Sequence, residues 1–398
     1  MSRTRRISFT REGWCYLLVL AFVSAGAILR EINVLILLAG MMAGPLVFSW
    51  MFIGGGLRRL RVTRRLPEAI SVGDLLIAEI ALENRHKRSS AWTIAVEDTI
   101  RRENSPPGED LAQTSVLFSH VRPGQSEHVA YRGRLMRRGR YKFGSLRVST
   151  RFPLGLVRRS MKVEQPARVV VCPRLGRLTK RWHAIYQDTT LGNRRVIRRW
   201  GPTDGEFHAL REWRSGDSQR WIHWRTTARR GELMVREFQP RQKQDLVVLL
   251  DLWRPSQPTD AHDEAVENAV SFAATILADL CRRGDSLLLI GATGSRPFYL
   301  RGTASSAMLS EVMECLALAE AEDTDGLQEL LSRSLAEANQ GARGVVISTR
   351  PTELTDADRF ESIDPDSTIR TRAAGMLCID ASSPSLSEYF GAEDDDER

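Results

Sequence analysis

The chain has 398 residues, 42% hydrophobic and 27% charged, enough to bury the cores of two soluble domains and too apolar for a disordered polymer. A net charge of +8 suits nucleic acid or acidic lipid, but arginines flanking apolar segments raise it equally, so charge alone selects no partner. Cys15, Cys172, Cys281, Cys315 and Cys378 form no CxxC pair, which argues against a disulfide framework or zinc site and fits a reducing compartment.

Residues 14–29 are an apolar run of 16, and after Arg30-Glu31 a second run extends over 32–57. Together they predict a transmembrane helical hairpin within an N-terminal region 1–57 that includes a short arm. The second run exceeds the roughly 20 residues that cross a bilayer, while the first would span only about 24 Å. A cleaved signal peptide does not fit, because no small-x-small site followed by polar sequence ends the first run. Arg3, Arg5, Arg6 and Arg11 precede the hairpin, and Arg58, Arg59, Arg61, Arg64 and Arg65 follow it. By the positive-inside rule both ends stay cytoplasmic, and so do the soluble domains.

From 61 to 164 the hydrophobic period is two. Ala78, Ile80 and Leu82 alternate with Glu79, Ala81 and Glu83; Trp92, Ile94 and Val96 alternate with Thr93, Ala95 and Glu97. Turn signals at Gly73-Asp74, Pro107-Gly108, Pro123-Gly124 and Gly139 separate the strands, so 58–165 is expected to be an antiparallel β-sandwich. His86, His120 and His128 have no partner at fixed spacing and read as surface residues.

A connector, 166–243, holds the most distinctive stretch, GEFHALREWRSGDSQRWIHWRTTARRGELMVREF from Gly205 to Phe238. Asp217 is placed to cap a helix over 218–229, with Trp221, Trp224, Arg225 and Ala228 on one face and the tryptophans expected to pack inward. A strand over 233–238 should follow. Arginine interleaved with tryptophan can bind single-stranded nucleic acid, but Glu206, Glu212, Asp217, Glu232 and Glu237 offer carboxylates for ion pairs instead. A structural network is the expectation, and nucleic acid an unlikely partner.

G-E-F-x-x-L-R-E-W, G-D-x-x-R-x-I-H-W and V-R-E-F in this stretch resemble the signature of the bacterial family called domain of unknown function 58. R-G-R-Y-K-F-G (Arg138 to Gly144), F-P-L-G-L (Phe152 to Leu156) and V-C-P-R (Val171 to Arg174) resemble it too. The signature positions are Gly205, Glu206, Phe207, Arg211, Glu212, Gly216, Asp217, Arg220, His223, Trp224, Arg229, Arg236 and Glu237. The resemblance implies a protein tethered to the bacterial inner membrane, a C-terminal von Willebrand factor A-like domain and a MoxR-type AAA+ ATPase as partner.

Independently, residues 244–385 alternate strands and helices. A continuous apolar strand over 246–250 precedes an amphipathic helix over 262–283, a strand at 287–290, helices near 304–321 and 326–339, and strands at 345–347 and 376–379. That predicts a parallel, doubly wound α/β (Rossmann-like) sheet, whose ligands collect at the strands' carboxyl ends, near Asp251, Gly291 and Ser348-Thr349-Arg350. A von Willebrand A domain is expected to carry D-x-S-x-S after its first strand; here the positions read Asp251, Leu252, Trp253, Arg254 and Pro255. With both hydroxyls missing and Arg254 expected nearby, the site around Asp251, Ser256, Ser348 and Thr349 reads as degenerate and metal-free. Asp251 is instead expected to cap a loop or pair with an arginine at the strand end; the one opening left to a metal is Ser256, which could substitute by a shift. An acidic tail, 386–398, is expected to be disordered.

No phosphate loop, HExxH or GxSxG occurs, and a hydrolase built on Asp217, His223 and Glu237 lacks a nucleophile fixed beside a base. The expectation is therefore a non-enzymatic scaffold or adaptor without cofactor. The alternative is a module binding nucleic acid or anionic lipid through residues 194–241.

Overall fold

A computed structural model of the chain describes residues 5–53, 57, 59–105, 111–184, 206–215, 217, 219–239, 246–284, 287–339, 342–354 and 368–391. These fall into two units, the first made of Met1–Arg174 and Leu316–Leu318 and the second of Leu175–Cys315 and Ala319–Arg398. Gly205, Gly216, residues 194–204 and the acidic stretch 392–398 lie outside the described residues.

The first unit begins with strand β1 (Arg5–Phe9), followed by helices α1 (Arg11–Arg30) and α2 (Asn33–Ile53), both long and apolar enough to cross a membrane. Thr10 starts α1: it is extended, and its hydroxyl accepts a hydrogen bond from the Gly13 amide at 3.0 Å. The helix therefore gains residues that sequence hydropathy left out, and its 20 residues reach about 30 Å. Leu18, Phe22, Leu29, Val34 and Met41 point outward from the pair and are exposed among the described residues.

Ten further strands follow: β2 (Leu60–Arg65), β3 (Ala69–Ser71), β4 (Leu75–Asn84), β5 (Ala91–Arg102), β6 (Leu111–Val121), β7 (Ser126–Arg134), β8 (Gly139–Phe143), β9 (Leu146–Thr150), β10 (Val157–Val163) and β11 (Ala167–Cys172). One sheet runs β1-β10-β9-β5-β8-β11-β3 with β6 on β5, and the other runs β2-β4-β7. Alternate residues of both sheets enter one core: Val62, Ile80 and Leu82 from the smaller, Ile94, Val96, Phe118, Val148 and Met161 from the larger. Burying each such side chain contributes about 1.5–3 kcal/mol.

The arm ahead of the hairpin is not merely a charged leader. Arg5–Phe9 pairs antiparallel with β10, from Arg5 opposite Met161 to Phe9 opposite Val157. The larger sheet is also not wholly antiparallel, because β3 pairs parallel to β11.

A buried ion pair joins the sheets. Arg64 on β2 donates to Asp98 on β5 at 2.6 Å, with both side chains at most 1% exposed. Asp98 also accepts from the Tyr131 hydroxyl at 2.8 Å, and Arg64 reaches the carbonyls of Gly144 and Gln165. Burial, and then the Asp98 charge, push the Tyr131 phenol far up, so it stays a donor.

The second unit contains β12 (Arg177–Leu178), β13 (Glu206–Glu212), α3 (Trp224–Arg230), β14 (Met234–Gln239), β15 (Leu246–Asp251), α4 (Asp260–Arg283), β16 (Leu287–Ala292), β17 (Phe298–Thr303), α5 (Ser306–Leu318), α6 (Leu327–Glu337), β18 (Arg343–Ser348), α7 (Thr368–Ala374), β19 (Leu377–Asp380) and β20 (Phe390–Gly391). Its main sheet has the order β17-β16-β15-β18-β19. Strands β16, β15, β18 and β19 are mutually parallel, but β17 is antiparallel to β16, so the sheet is mixed rather than uniformly parallel. A parallel return needs a crossover of a dozen residues or more, and only the short turn 293–297 separates β16 from β17.

Every residue of β15 is buried, as its unbroken apolar run requires. Val247 and Leu249 meet Leu327, Leu331 and Leu335 of α6 and Ala373 of α7, while α4 lies along β15 and β18. The segment read from sequence as a connector is divided: Ala167–Cys172 completes the first unit's sheet, whereas β12 pairs with β20. Trp182 packs edge-on against Phe272 of α4, their ring centres 5.4 Å apart.

Candidate functional site at the strand ends

Parallel strands leave a crevice where their carboxyl ends splay, and here β15 and β18 end in register at Asp251 and Ser348. Asp251 is fully buried. Its Oδ2 accepts from Ser348 Oγ at 3.0 Å and from Arg350 Nε at 3.1 Å; Thr293 Oγ1 stands 3.5 Å from Oδ1. The Arg350 guanidinium reaches on to Asp325 Oδ1 at 2.7 Å and lies over the Trp253 ring, 5.1 Å from its centre. One arginine thus ties the end of the central strand to the loop before α6 and stacks on the loop after β15.

Hydroxyls hold the loops around it. Thr349 Oγ1 accepts from the Trp253 amide at 2.9 Å and donates to the Trp253 carbonyl at 2.5 Å, and Thr293 Oγ1 accepts from the Leu252 amide at 2.8 Å. Trp253 Nε1 donates to the Asp323 carbonyl at 3.0 Å.

Two sequence expectations are corrected here. Ser256 does not shift into a ligand position, since its hydroxyl is bonded to Asp323 Oδ2 at 3.1 Å. Nor does Arg254 bring charge to Asp251: its guanidinium lies 3.7 Å from Asp263, and the cation at the strand end is Arg350. The donor set does not fit a divalent metal. Magnesium wants near-octahedral oxygens, whereas Asp251 offers one carboxylate already shared with a hydroxyl and a fixed guanidinium. Among the described residues no cluster of three or more His, Cys, Asp or Glu side chains forms a metal-binding group.

The signature stretch folds as a hairpin. β13 and β14 pair antiparallel from Glu206 opposite Gln239 to Glu212 opposite Met234, with a bulge between Phe207 and Ala209, and Arg236 and Glu237 lie on β14. The intervening insert buries Ile222 and bridges it antiparallel to Val235. Arg211 grips Asp217 through two 2.7 Å hydrogen bonds, and the Arg214 amide adds a third at 2.8 Å. Of the ion-pair network expected in this stretch, the pair Arg211–Asp217 is formed among the described residues.

Asp217, however, closes a turn and caps no helix. The region 218–229 divides into a 3-10 turn (Gln219–Trp221) and α3, because His223 supplies the cap: Nδ1 accepts from the Thr226 amide at 3.3 Å. Asp217 is thus bound to Arg211, and His223 to Thr226. The tryptophans do not pack inward. Trp221 is 42% and Trp224 66% exposed, and Arg220, Arg225, Arg229 and Arg230 are exposed beside them.

Arg211's hydrogen bonds, reinforced by the Arg214 amide, hold the Asp217 carboxyl down at about 2 against an ordinary 3.8. A depressed carboxyl stabilises the fold above its unfolded value and loses that contribution as pH falls through the folded one. The hairpin turn is thus expected to stay closed at pH 5 and to loosen between about pH 4 and 2. Amide exchange at Arg214 reads this out; Asp217→Asn should remove the pH dependence.

The arginine pairing expected of Asp251 is made by Arg350, which the sequence placed at the neighbouring strand end. Asp325 and Thr293 are the site residues that spacing did not assign.

Comparison with known proteins agrees with the signature. Residues 209–360 match the family described as protein of unknown function DUF58. The uncharacterized protein YeaD of Bacillus subtilis (strain 168) is 27% identical over 147 residues, covering 37% of this chain and 34% of that protein. The chain therefore spans about a third of the length of that curated relative. Among solved structures, the CARDB domain of PF1109 from Pyrococcus furiosus is similar at 14% identity over 28% of this chain and 95% of that one, with a TM-score of 0.19. A beta-glucosidase from Listeria innocua is similar at 13% identity over 28% of this chain and 16% of that one, also at 0.19. Likenesses at that score carry no argument. The family match covers residues 209–360, and over that stretch the chain is similar to DUF58.

Proposed function

We propose that the protein is a non-enzymatic scaffold, anchored in the bacterial inner membrane by α1 and α2, whose second unit offers its strand-end loops to a protein partner on the cytoplasmic side. We read the first unit as a β-sandwich and the second as a von Willebrand factor A-like domain. The observation that carries the proposal is the state of Asp251: its carboxylate is consumed by Ser348 and Arg350, a cross-brace rather than an acid, base or nucleophile. Loops held this way form a shaped surface that needs no cation. The outward apolar faces of α1 and α2 support the anchor, and the arginines on both flanks support cytoplasmic domains. The partner suggested by the family resemblance is a MoxR-type AAA+ ATPase.

The test is photo-crosslinking from position 322 or 353, beside the strand-end loops, in the full membrane-embedded chain. The expected result is a crosslink to a MoxR-type ATPase, equally strong in EDTA and in magnesium. No crosslink to any ATPase, or one that vanishes in EDTA, would sink the reading.

The exposure of Trp221 and Trp224 beside four arginines favours a second reading, binding of nucleic acid or anionic lipid through the Arg/Trp stretch within 194–241. Steeply salt-dependent binding of a generic oligonucleotide, lost in a Trp221→Ala/Trp224→Ala variant, is its signature.

A further inference from the structure

We propose that the loop joining β9 to β10, together with Trp92, is a membrane-seating foot that holds the first unit against the bilayer's headgroup layer. This rests on α1 and α2 spanning the membrane and adds what that anchor does not specify, the pose of the sheets on the surface.

The loop is welded to the start of α1. The Thr10 hydroxyl donates to the Gly155 carbonyl at 2.7 Å, and the Thr10 amide to the Leu156 carbonyl at 3.1 Å. The α1 backbone comes so close that a Cβ at Gly13 would collide with the Leu156 carbonyl. Leu156 and Val157 then pack with Phe9, Tyr16 of α1 and Leu46 of α2. Tyr16 and Leu46 lie about 8–10 Å inside the ends of their helices at 1.5 Å per residue. The loop thus sits beside the outer turns of the hairpin, at the depth where interfacial groups settle.

What the loop presents there has interfacial chemistry. Phe152 is 38%, Leu154 50% and Trp92 45% exposed, unusual for large apolar side chains at one end of a soluble sheet. Trp92 stacks on Phe152 at 5.9 Å and on His120 at 4.0 Å, while its carbonyl accepts from Thr150 Oγ1 at 3.2 Å. The aromatic surface is therefore held in place by the strand beside it. Arg11 and Arg151 are exposed at the same end, next to where lipid phosphates would lie. Exposed aromatic rings with arginines match the belt at membrane–water boundaries. Hydrogen-bonded continuity with the apolar helices selects lipid as the occupant over a second protein.

The experiment uses the full chain, its five native cysteines replaced, reconstituted in phosphatidylcholine–phosphatidylglycerol vesicles. An environment-sensitive fluorophore is placed at Leu154→Cys, with Phe152→Cys as a second position. Lys162→Cys is the control, exposed on β10 about 17 Å further along the strand. Shallow nitroxide-labelled lipid should quench the probe at 154 at least threefold more than at 162. Release of the protein by alkaline carbonate would overturn the anchor, and the foot with it. Retention in the membrane with equal quenching at 154 and 162 would overturn the foot alone. A blue-shifted probe at 154 that lipid quenchers do not reach would assign the surface to a protein contact and overturn the foot equally.

Discussion

Replacing Arg350 with alanine should lower the stability of the second unit by about 3–5 kcal/mol, the usual result of stranding a buried charge. Asp251 is fully buried, and without the guanidinium its carboxylate keeps, among the described residues, the Ser348 hydroxyl and a long Thr293 contact. For a unit of this size that is a fall of roughly 6–20 °C in midpoint, read by calorimetry on the full chain in detergent. The effect should be specific to charge. Asp251→Asn combined with Arg350→Met, which removes both charges at similar volume, is expected to recover most of the loss. The single Arg350→Ala variant should also acquire a response to divalent ions that the parent lacks, because Asp251, Asp325 and Ser348 then surround the space the guanidinium filled. A manganese-induced rise in midpoint for the variant, and none for the parent, is the outcome to look for. An unchanged midpoint would mean the cross-brace is ornamental.

Asp98→Ala is expected to damage the first unit comparably, by about 3–5 kcal/mol, since it leaves the Arg64 guanidinium buried among carbonyls without its counter-charge. Tyr131→Phe, which removes one donor to the same carboxylate, should cost only about 1–3 kcal/mol. The pair predicts a pH signature too. A phenol whose folded value lies far above its unfolded one contributes fully below pH 10 and loses that contribution as pH climbs past 10. Urea midpoints between pH 9 and 11.5 should fall more steeply for the parent than for Tyr131→Phe.

The features legible in the sequence were those encoded by neighbours. The unbroken apolar run of β15, the stripe along α4 and the period-two alternation of β4 and β5 each report local burial, and each appears as expected. What escaped depends on distant partners. Asp325 and Thr293 join the Asp251–Arg350 pair from separate loops, so no spacing rule could place them there. β1 was hidden by its arginines, which mimic a topology signal while the backbone pairs as a strand. β17 carried a hairpin signal in the short turn around Gly294, which took a doubly wound template to override. The exposed Trp224 defeated helical periodicity because α3 is only two turns long and buries little of either face.

The pairing of β1 with β10 also orders events during synthesis. Phe9 leaves the ribosome 148 residues before Val157, its partner across the sheet. At 5–20 residues per second the first strand waits roughly 7–30 s for the segment that will receive it. The apolar helices behind it are complete long before then, so the sheet closes onto a segment whose helices have already been made. A short strand bearing Arg5 and Arg6 suits that interval, since charge discourages premature pairing with other open edges.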